Sequence, residues 1–264
     1  MFKRILSDGD LLEIARWNTP TIYNGWEAVT KKNHMDCRCN WVDVNDYTPH
    51  IKSAVGYAVT VEYRCDSEEY QASHPDNIKE WFAFLASIPG PKVVMCKDLN
   101  YPQVRGATTG ELMSSVYKNL GCVGVVTDGA VRDVDESNAS GFKLLGTRLM
   151  VGHGYACPVR WGHDIELLGT TVRTGDLVHI DKYGFICLDE EEQANILEAA
   201  RRLDSNECQS VISTMYGAVQ NEAALKANLA AVTAQLDKQA ALNNDVRRDL
   251  SPKYVHGENA PTVL

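Results

Sequence analysis

The sequence predicts a mixed α/β fold with a C-terminal helical arm. Three observations carry that reading. Runs of strand and helix character alternate over residues 54–202, the mark of a layered α/β domain. Several of the strand-like runs are short and joined by tight turns, which favours a mixed sheet or sandwich over a doubly wound parallel sheet. From about Leu203 the composition shifts to Ala, Leu, Asn and Gln with apolar positions at helical spacing. The expected organisation is a main α/β domain over 1–203 and a helical extension over 204–264.

Residues 8–30 read as a helical opening, with Asp8 or Asp10 as cap and Leu11, Leu12, Ile14 and Ala15 as the apolar face. Thr19-Pro20 breaks it, and a second short helix follows through Trp26. The polar stretch 30–50 reads as a loop. AVGYAVTVEYRC (54–65) alternates and is rich in Val and Tyr, so it reads as a strand. A helix is expected over His74–Ser87. Pro89-Gly90-Pro91 then turns the chain into KVVMCKDL (92–99), a buried strand. Leu112, Val116 and Leu120 are spaced at four and predict a helix over Glu111–Leu120, with Gly121 as its stop. VGVVTDG (123–129) is a short apolar strand, and SGFKLLGT and MVGHGYACPV suggest two more. TVRTGDLVHIDKYGFICL (171–188) reads as a hairpin with turns at Thr174-Gly175-Asp176 and Lys182-Tyr183-Gly184. Glu190–Arg202 is amphipathic helix.

The chain has 264 residues and a net charge of −9. That balance argues against a nucleic-acid surface, which needs a concentrated basic patch, yet leaves room for a small anion held by local donors. No apolar run is long enough to span a bilayer, and MFKRILSDGDLLEIARW does not read as a signal peptide. The expected setting is cytoplasmic. Eight scattered cysteines, several among apolar neighbours, read as buried free thiols. Cys37-x-Cys39 lacks a second half-site at zinc spacing, and His153, His163 and His179 are not at helical ligand spacing, so zinc is not expected.

The chemistry is concentrated in TTGELMSSVYKNLGCVGVVTDGAVRDVDE (108–136). It is a glycine turn, a helix, a strand and a polar turn. Gly110 lets the backbone approach a ligand closely. The free N–H groups from about Glu111 to Met113 face whatever lies before the helix and suit a carboxylate. One helix and one strand later, a turn on Asp128-Gly129 brings in Arg132 and Asp133. Arg132 can fork onto a carboxylate or enolate oxygen, and Asp133 can hold a hard divalent cation. An Arg-Asp dipeptide alone is ordinarily a surface ion pair, and Asp135-Glu136 reads as a solvated turn.

Gly110-Glu111-Leu112-Met113 followed by Arg132-Asp133 twenty-two residues after the glycine resembles the signature of the RraA-like family. Its familiar enzymes are 4-hydroxy-4-methyl-2-oxoglutarate / 4-carboxy-4-hydroxy-2-oxoadipate aldolases. LGCVGVVTDGAVRD (120–133), AVGYAVTVEY (54–63) and ILEAARRL (196–203) extend the likeness over roughly residues 10–203. It leaves out the polar segment near 31–50 and the C-terminal sixty residues. The resemblance implies an α/β/β swivelling-domain-like fold and a homotrimer or hexamer.

It also implies roles. Backbone N–H groups of Gly110, Glu111, Leu112 and Met113 would bind the carboxylate of a 2-oxo acid. Arg132 would bind its keto oxygen, and Asp133 would ligate Mg²⁺ or Mn²⁺. Glu111 stands where some family aldolases carry an Asp that orients a water; its longer side chain departs from that pattern. The implied reaction is cleavage of a 4-hydroxy-2-oxo dicarboxylic acid to pyruvate, with a metal-associated water or hydroxide as base. Oxaloacetate decarboxylation proceeds through the same enolate. Some RraA-like proteins are instead protein-binding regulators of RNA degradation, and the full Arg-Asp pair sets this chain beside the enzymes.

Overall fold

The computed structural model describes residues 4–215 and 221–251. Its contacts divide the chain into two units, residues 1–19 with 37–190, and residues 20–36 with 191–264.

In the first unit, α1 (Asp8–Ile14) is capped by Ser7, not by Asp8 or Asp10. Asp10 instead sits at the third helical position and closes a capping box with Ser7. The strands are β1 (Asn45–Asp46), β2 (Ala54–Arg64), β3 (Lys92–Asp98), β4 (Ala107–Thr109), β5 (Cys122–Thr127), β6 (Ala130–Val131), β7 (Lys143–Gly146), β8 (Arg148–Leu149), β9 (Cys157–Trp161), β10 (Ile165–Leu167), β11 (Thr170–Val172), β12 (Leu177–Asp181) and β13 (Gly184–Leu188). The main sheet runs β1-β7-β5-β3-β2-β12-β13, with β9 also paired to β2. β2, β3, β5 and β7 are parallel neighbours, and β1, β9, β12 and β13 pair antiparallel. β2 is buried along almost its whole length, as expected for a strand covered on both faces.

What covers those faces defines three layers. On one side lie α4 (Asn77–Ser87) and α5 (Glu111–Asn119), whose Trp81, Leu85 and Tyr117 pack on Val59, Val94 and Val125. On the other side the small β10-β11 sheet sets Ile165, Leu167 and Val172 on Ala58, Met95 and Val126. This is an α/β/β, swivelling-domain-like arrangement.

Several expected elements take another form. The helix expected over 74–87 is preceded by a separate short helix, α3 (Glu68–Ser73). The hairpin read over 171–188 is real only for β12 and β13, which turn at Lys182-Tyr183. Thr170–Val172 pairs backwards with Ile165–Leu167 instead, so Thr174-Gly175-Asp176 links two sheets and is not a hairpin turn. The polar stretch 30–50 is not plain loop. Cys39 bridges Ile186, and β1 seals the edge of β7, held there by the buried Lys143 ammonium, which donates to Asp46 and to the Thr48 and Lys52 carbonyls. Of MVGHGYACPV, only the end from Cys157 is strand; residues 150–156 form a loop.

The second unit is helical, built from most of α2 (Thr19–Val29) and α7 (Glu190–Glu207) with α9 (Glu222–Leu250). Ala28, Val29, Ala199, Leu203 and Val246 form its core. A Cβ on Gly25 would lie 3.1 Å from Ile196 and 3.3 Å from the Ala200 nitrogen, so glycine permits the close approach of α2 and α7. Glu192 is buried and accepts from Trp26 Nε1 and Thr30 Oγ1, both at 2.8 Å. α9 is a distinct C-terminal helical segment, and residues 216–220 and 252–264 lie outside the described residues. Among the described residues no helix is long and apolar enough to cross a membrane. All eight cysteines are free, and six are buried.

Candidate functional site

Three very short strands build the site. β4 and β6 pair in parallel, and β6 pairs with β8. The Arg132 N–H donates to the Thr109 carbonyl at 2.9 Å. This places the Arg-Asp turn beside Gly110, the N-cap of α5. The turn before it is fixed by its own side chains. Asp128 accepts from the Asp98 N–H at 2.7 Å and is ion-paired with Lys97, while the Gly129 N–H donates to Thr127 Oγ1 at 2.9 Å. Burial pushes the Asp98 carboxyl up to about 6, and neighbouring Asp128 adds to the effect. Asp98 and Asp128 are both fully buried and act as framework.

Asp133 has left-handed backbone (φ 49°, ψ 47°) and stands at the N-cap of α6 (Val134–Ser140), yet its side chain does not cap that helix. Its Oδ2 accepts the Glu111 N–H of α5 at 3.1 Å and lies 3.5 Å from Arg132 Nε. Arg132 Nη1 donates to the Val151 carbonyl at 3.1 Å. Both side chains are a little over a third exposed, so they remain open to a ligand. Glycine at 110 is required by this approach. A Cβ there would fall inside contact distance of Asp133 Oδ2 and 2.9 Å from Arg132 Cγ. The backbone at 110 is ordinary extended chain, so the constraint is space, not conformation.

These groups border a cavity of about 350 Å³, lined by Gly110, Leu112, Met113, Arg132 and Asp133 together with Tyr63, Thr108 and His153 among others. Of the predicted site residues, Glu111 alone is not in the lining; it is exposed in the first turn of α5. Leu112 is 72% exposed at the mouth. Tyr63 and His153 were not assigned to this site from sequence, since they come from separate segments with no motif of their own; Thr108 opens the 108–136 segment but was not singled out. A second cavity, about 410 Å³, lies beside α1 and is lined mainly by apolar groups such as Leu11, Leu12, Val55 and Val123. Its chemistry offers nothing comparable to the Arg132–Asp133 cluster.

Other ionisable groups are committed to structure. His179 is buried, with Nδ1 at 2.9 Å from Thr19 Oγ1 and Nε2 at 3.2 Å from the Trp17 carbonyl. Cys37 and Cys39 do not form part of any cluster of three metal-ligating side chains, and no such cluster occurs among the described residues.

Comparison with known proteins follows this geometry. A protein of Halalkalibacterium halodurans named "Putative 4-hydroxy-4-methyl-2-oxoglutarate aldolase" is 26% identical over 175 residues, 64% of this chain and 74% of that protein. An uncharacterised Pseudomonas syringae pv. tomato protein superposes with a TM-score of 0.63 at 18% identity, covering 83% of this chain and 93% of its own. RraAS2 of Streptomyces coelicolor, described as an unusual member of the RNase ES inhibitor RraA family, gives 0.60 at 16% identity, covering 81% and 99%. Both structural likenesses establish the shared fold. The Aldolase/RraA family model matches residues 19–187, the span that holds the sheet, the Gly110 turn and the Arg132-Asp133 pair, and the chain belongs to that family.

Proposed function

We propose that this chain is a divalent-metal-dependent carbon–carbon lyase. Its substrate is a small 4-hydroxy-2-oxo dicarboxylic acid, cleaved to pyruvate, with oxaloacetate decarboxylation as a related activity. The observation that carries the reading is the convergence of Arg132, Asp133 and the N-terminus of α5 on one cavity. A guanidinium fork, a carboxylate and free helix N–H groups in one place suit a short 2-oxo acid, which carries two adjacent oxygen-bearing carbons.

The residues present fit Mg²⁺ or Mn²⁺. Gly110 leaves the space beside Asp133 that a Cβ would fill. With one carboxylate at hand and no cluster of three ligating side chains among the described residues, the cation would complete its shell from water and substrate, as Mg²⁺ commonly does. When bound, it supplies Lewis acidity toward the charge that develops on the enolate. The chain's own residues do the rest. The N–H groups of Leu112 and Met113 receive the substrate carboxylate with the help of the helix dipole. Arg132 donates to the keto oxygen and strengthens that bond as the oxygen gains charge. Glu111, outside the cavity lining, would serve as a positioning acid at the mouth. The working form would be a cytoplasmic homo-oligomer, a trimer or hexamer, without nucleic-acid or membrane partners.

The test is a Mg²⁺- or Mn²⁺-supplemented screen of 4-hydroxy-2-oxo acids and oxaloacetate coupled to pyruvate detection. Pyruvate release that EDTA abolishes supports the reading. Full turnover after exhaustive chelation overturns the metal part, and no pyruvate from any substrate overturns the lyase.

A second reading is a protein-binding regulator of RNA degradation. Two observations favour it: the fold shared with RraAS2 across 99% of that chain, and the exposed apolar side chains Leu112, Leu149 and Val151 near the cavity, which offer a contact face. A regulator would inhibit an endoribonuclease without metal or 2-oxo acid and would be indifferent to Asp133→Asn. A lyase would show the opposite pattern.

A further inference from the structure

The loop 150–155 crosses the candidate site and is held to it from several sides. The Met150 N–H donates to the Val131 carbonyl at 3.2 Å, the Ala107 N–H to the Gly152 carbonyl at 2.9 Å, and the Tyr155 N–H to the Cys65 carbonyl at 2.9 Å. Arg132 reaches the Val151 carbonyl from below. Two glycines permit this packing. A Cβ on Gly106 would collide with the His153 carbonyl, and one on Gly154, at φ +54°, with the Cys65 carbonyl. A loop fixed on β4, β6 and the chain after β2 therefore presents His153 to the cavity that Arg132, Asp133 and Gly110 share.

The ring's protonation pattern is also set. His153 Nδ1 lies 2.7 Å from the Gly154 carbonyl oxygen. A carbonyl can only accept, so Nδ1 carries the hydrogen. In the neutral ring the lone pair is then on Nε2, which takes no hydrogen-bond partner among the described residues. An imidazole with Nδ1 committed to a carbonyl and Nε2 open is the arrangement that general bases adopt.

We propose that His153 is the general base and acid of this site, an assignment that rests on the lyase reading above. Nε2 takes the proton from the C4 hydroxyl of the 4-hydroxy-2-oxo acid. The O–H electron pair forms the new C4 carbonyl, the C3–C4 bond breaks, and its electrons pass into the C2–C3 enolate. The imidazolium returns the proton to C3, giving the methyl group of pyruvate and restoring the neutral ring. No oxidant or co-reactant is needed.

His153→Asn tests this, because the Asn amide can still donate to the Gly154 carbonyl while nothing remains at the Nε2 position. The expected result is a kcat lowered by about 100- to 10,000-fold, the usual worth of a positioned proton-transfer group, with KM and the affinity for oxalate plus Mn²⁺ unchanged. His153→Ala should be equally impaired and should regain turnover with added imidazole. A His153→Asn enzyme within tenfold of the parent overturns the assignment, as does a matching loss of oxalate affinity or an alanine variant that imidazole does not rescue. If the parent releases no pyruvate from any 2-oxo acid, the lyase reading itself fails and takes this role with it. Failure of the variants beside an active parent removes His153 alone.

Discussion

Gly110→Ala puts the geometry of the site to a direct test. The added methyl would lie 2.9 Å from Arg132 Cγ and closer still to Asp133 Oδ2. The carboxylate is the easier group to displace, and moving it breaks the bond it accepts from the Glu111 N–H. Such a charge-assisted bond contributes roughly 1.5–3 kcal/mol. With Asp133 a little over a third exposed, the lower end applies, about 1.5 kcal/mol or close to tenfold. Displacing the Arg132 fork adds a comparable term, so oxalate–Mn²⁺ affinity should fall about 10- to 100-fold. Folding stability should drop by about 1.5 kcal/mol as well, the worth of the broken Glu111–Asp133 bond, and by little more, since the extended backbone at 110 suits any residue. Gly152→Ala is the control, because a Cβ there meets nothing within 4 Å. Isothermal calorimetry reads the affinity and thermal melting the stability. If Gly110→Ala binds as tightly as the parent, or Gly152→Ala loses as much, the Arg132–Asp133–Gly110 cluster is not the binding centre.

Arg132→Lys keeps the charge but loses the planar fork, so turnover should fall roughly 100- to 1000-fold with Mn²⁺ affinity intact. Asp133→Asn should instead abolish metal affinity, and because Asn tolerates left-handed backbone, the loss would not come from strain; unchanged Mn²⁺ and oxalate binding would remove Asp133 as ligand. Burial holds His179 down to about 4, with Asp181 opposing. A folded-state value below the unfolded one means that stability is complete above about pH 6.5 and is lost as pH falls through about 4. Melting temperature should decline over that window while the His179 ring signals in NMR stay neutral above pH 5; a ring that titrates near 6.5 contradicts this. The Cys37 hydrogen bond draws the Cys39 thiol down to about 7 against the opposing effect of burial. Iodoacetamide should therefore reach half its maximal rate at Cys39 near pH 7, and Cys37→Ala should move that midpoint up toward about 8.5; a midpoint the substitution leaves in place would show that Cys37 is not the cause.

Elements with strong local pattern were legible. The four-residue spacing of Leu112, Val116 and Leu120 marks α5, and the apolar run after Gly121 marks β5. Gly121 takes positive φ (82°) where the helix stops. Pairing was not legible, because which strand lies beside β2 depends on contacts far apart in sequence. β10 escaped notice at three residues, too short for alternation to register, and β11 was read as an arm of the 171–188 hairpin because its partner could not be seen. Residues 150–156 look like strand, yet Val151 is 96% exposed; the apolar pattern there marks a loop over the cavity. The site was legible to the extent that it is local. Thr108, Gly110, Arg132 and Asp133 fall within one glycine–helix–strand–turn segment, whereas Tyr63 and His153 reach the same cavity from other parts of the chain.

The central position of β2 has a consequence for biosynthesis. Its residues 54–64 pair with β3 at 92–98, but part of its other edge waits for β12 at 177–181. At roughly 5–20 residues per second, that edge of AVGYAVTVEYR stays unpaired for on the order of 10 s after the strand is made. An apolar strand with an open edge is a template for wrong pairing. The nascent chain is thus most exposed to aggregation between completion of β3 and emergence of β12, and holdase chaperones acting in that interval should determine its soluble yield.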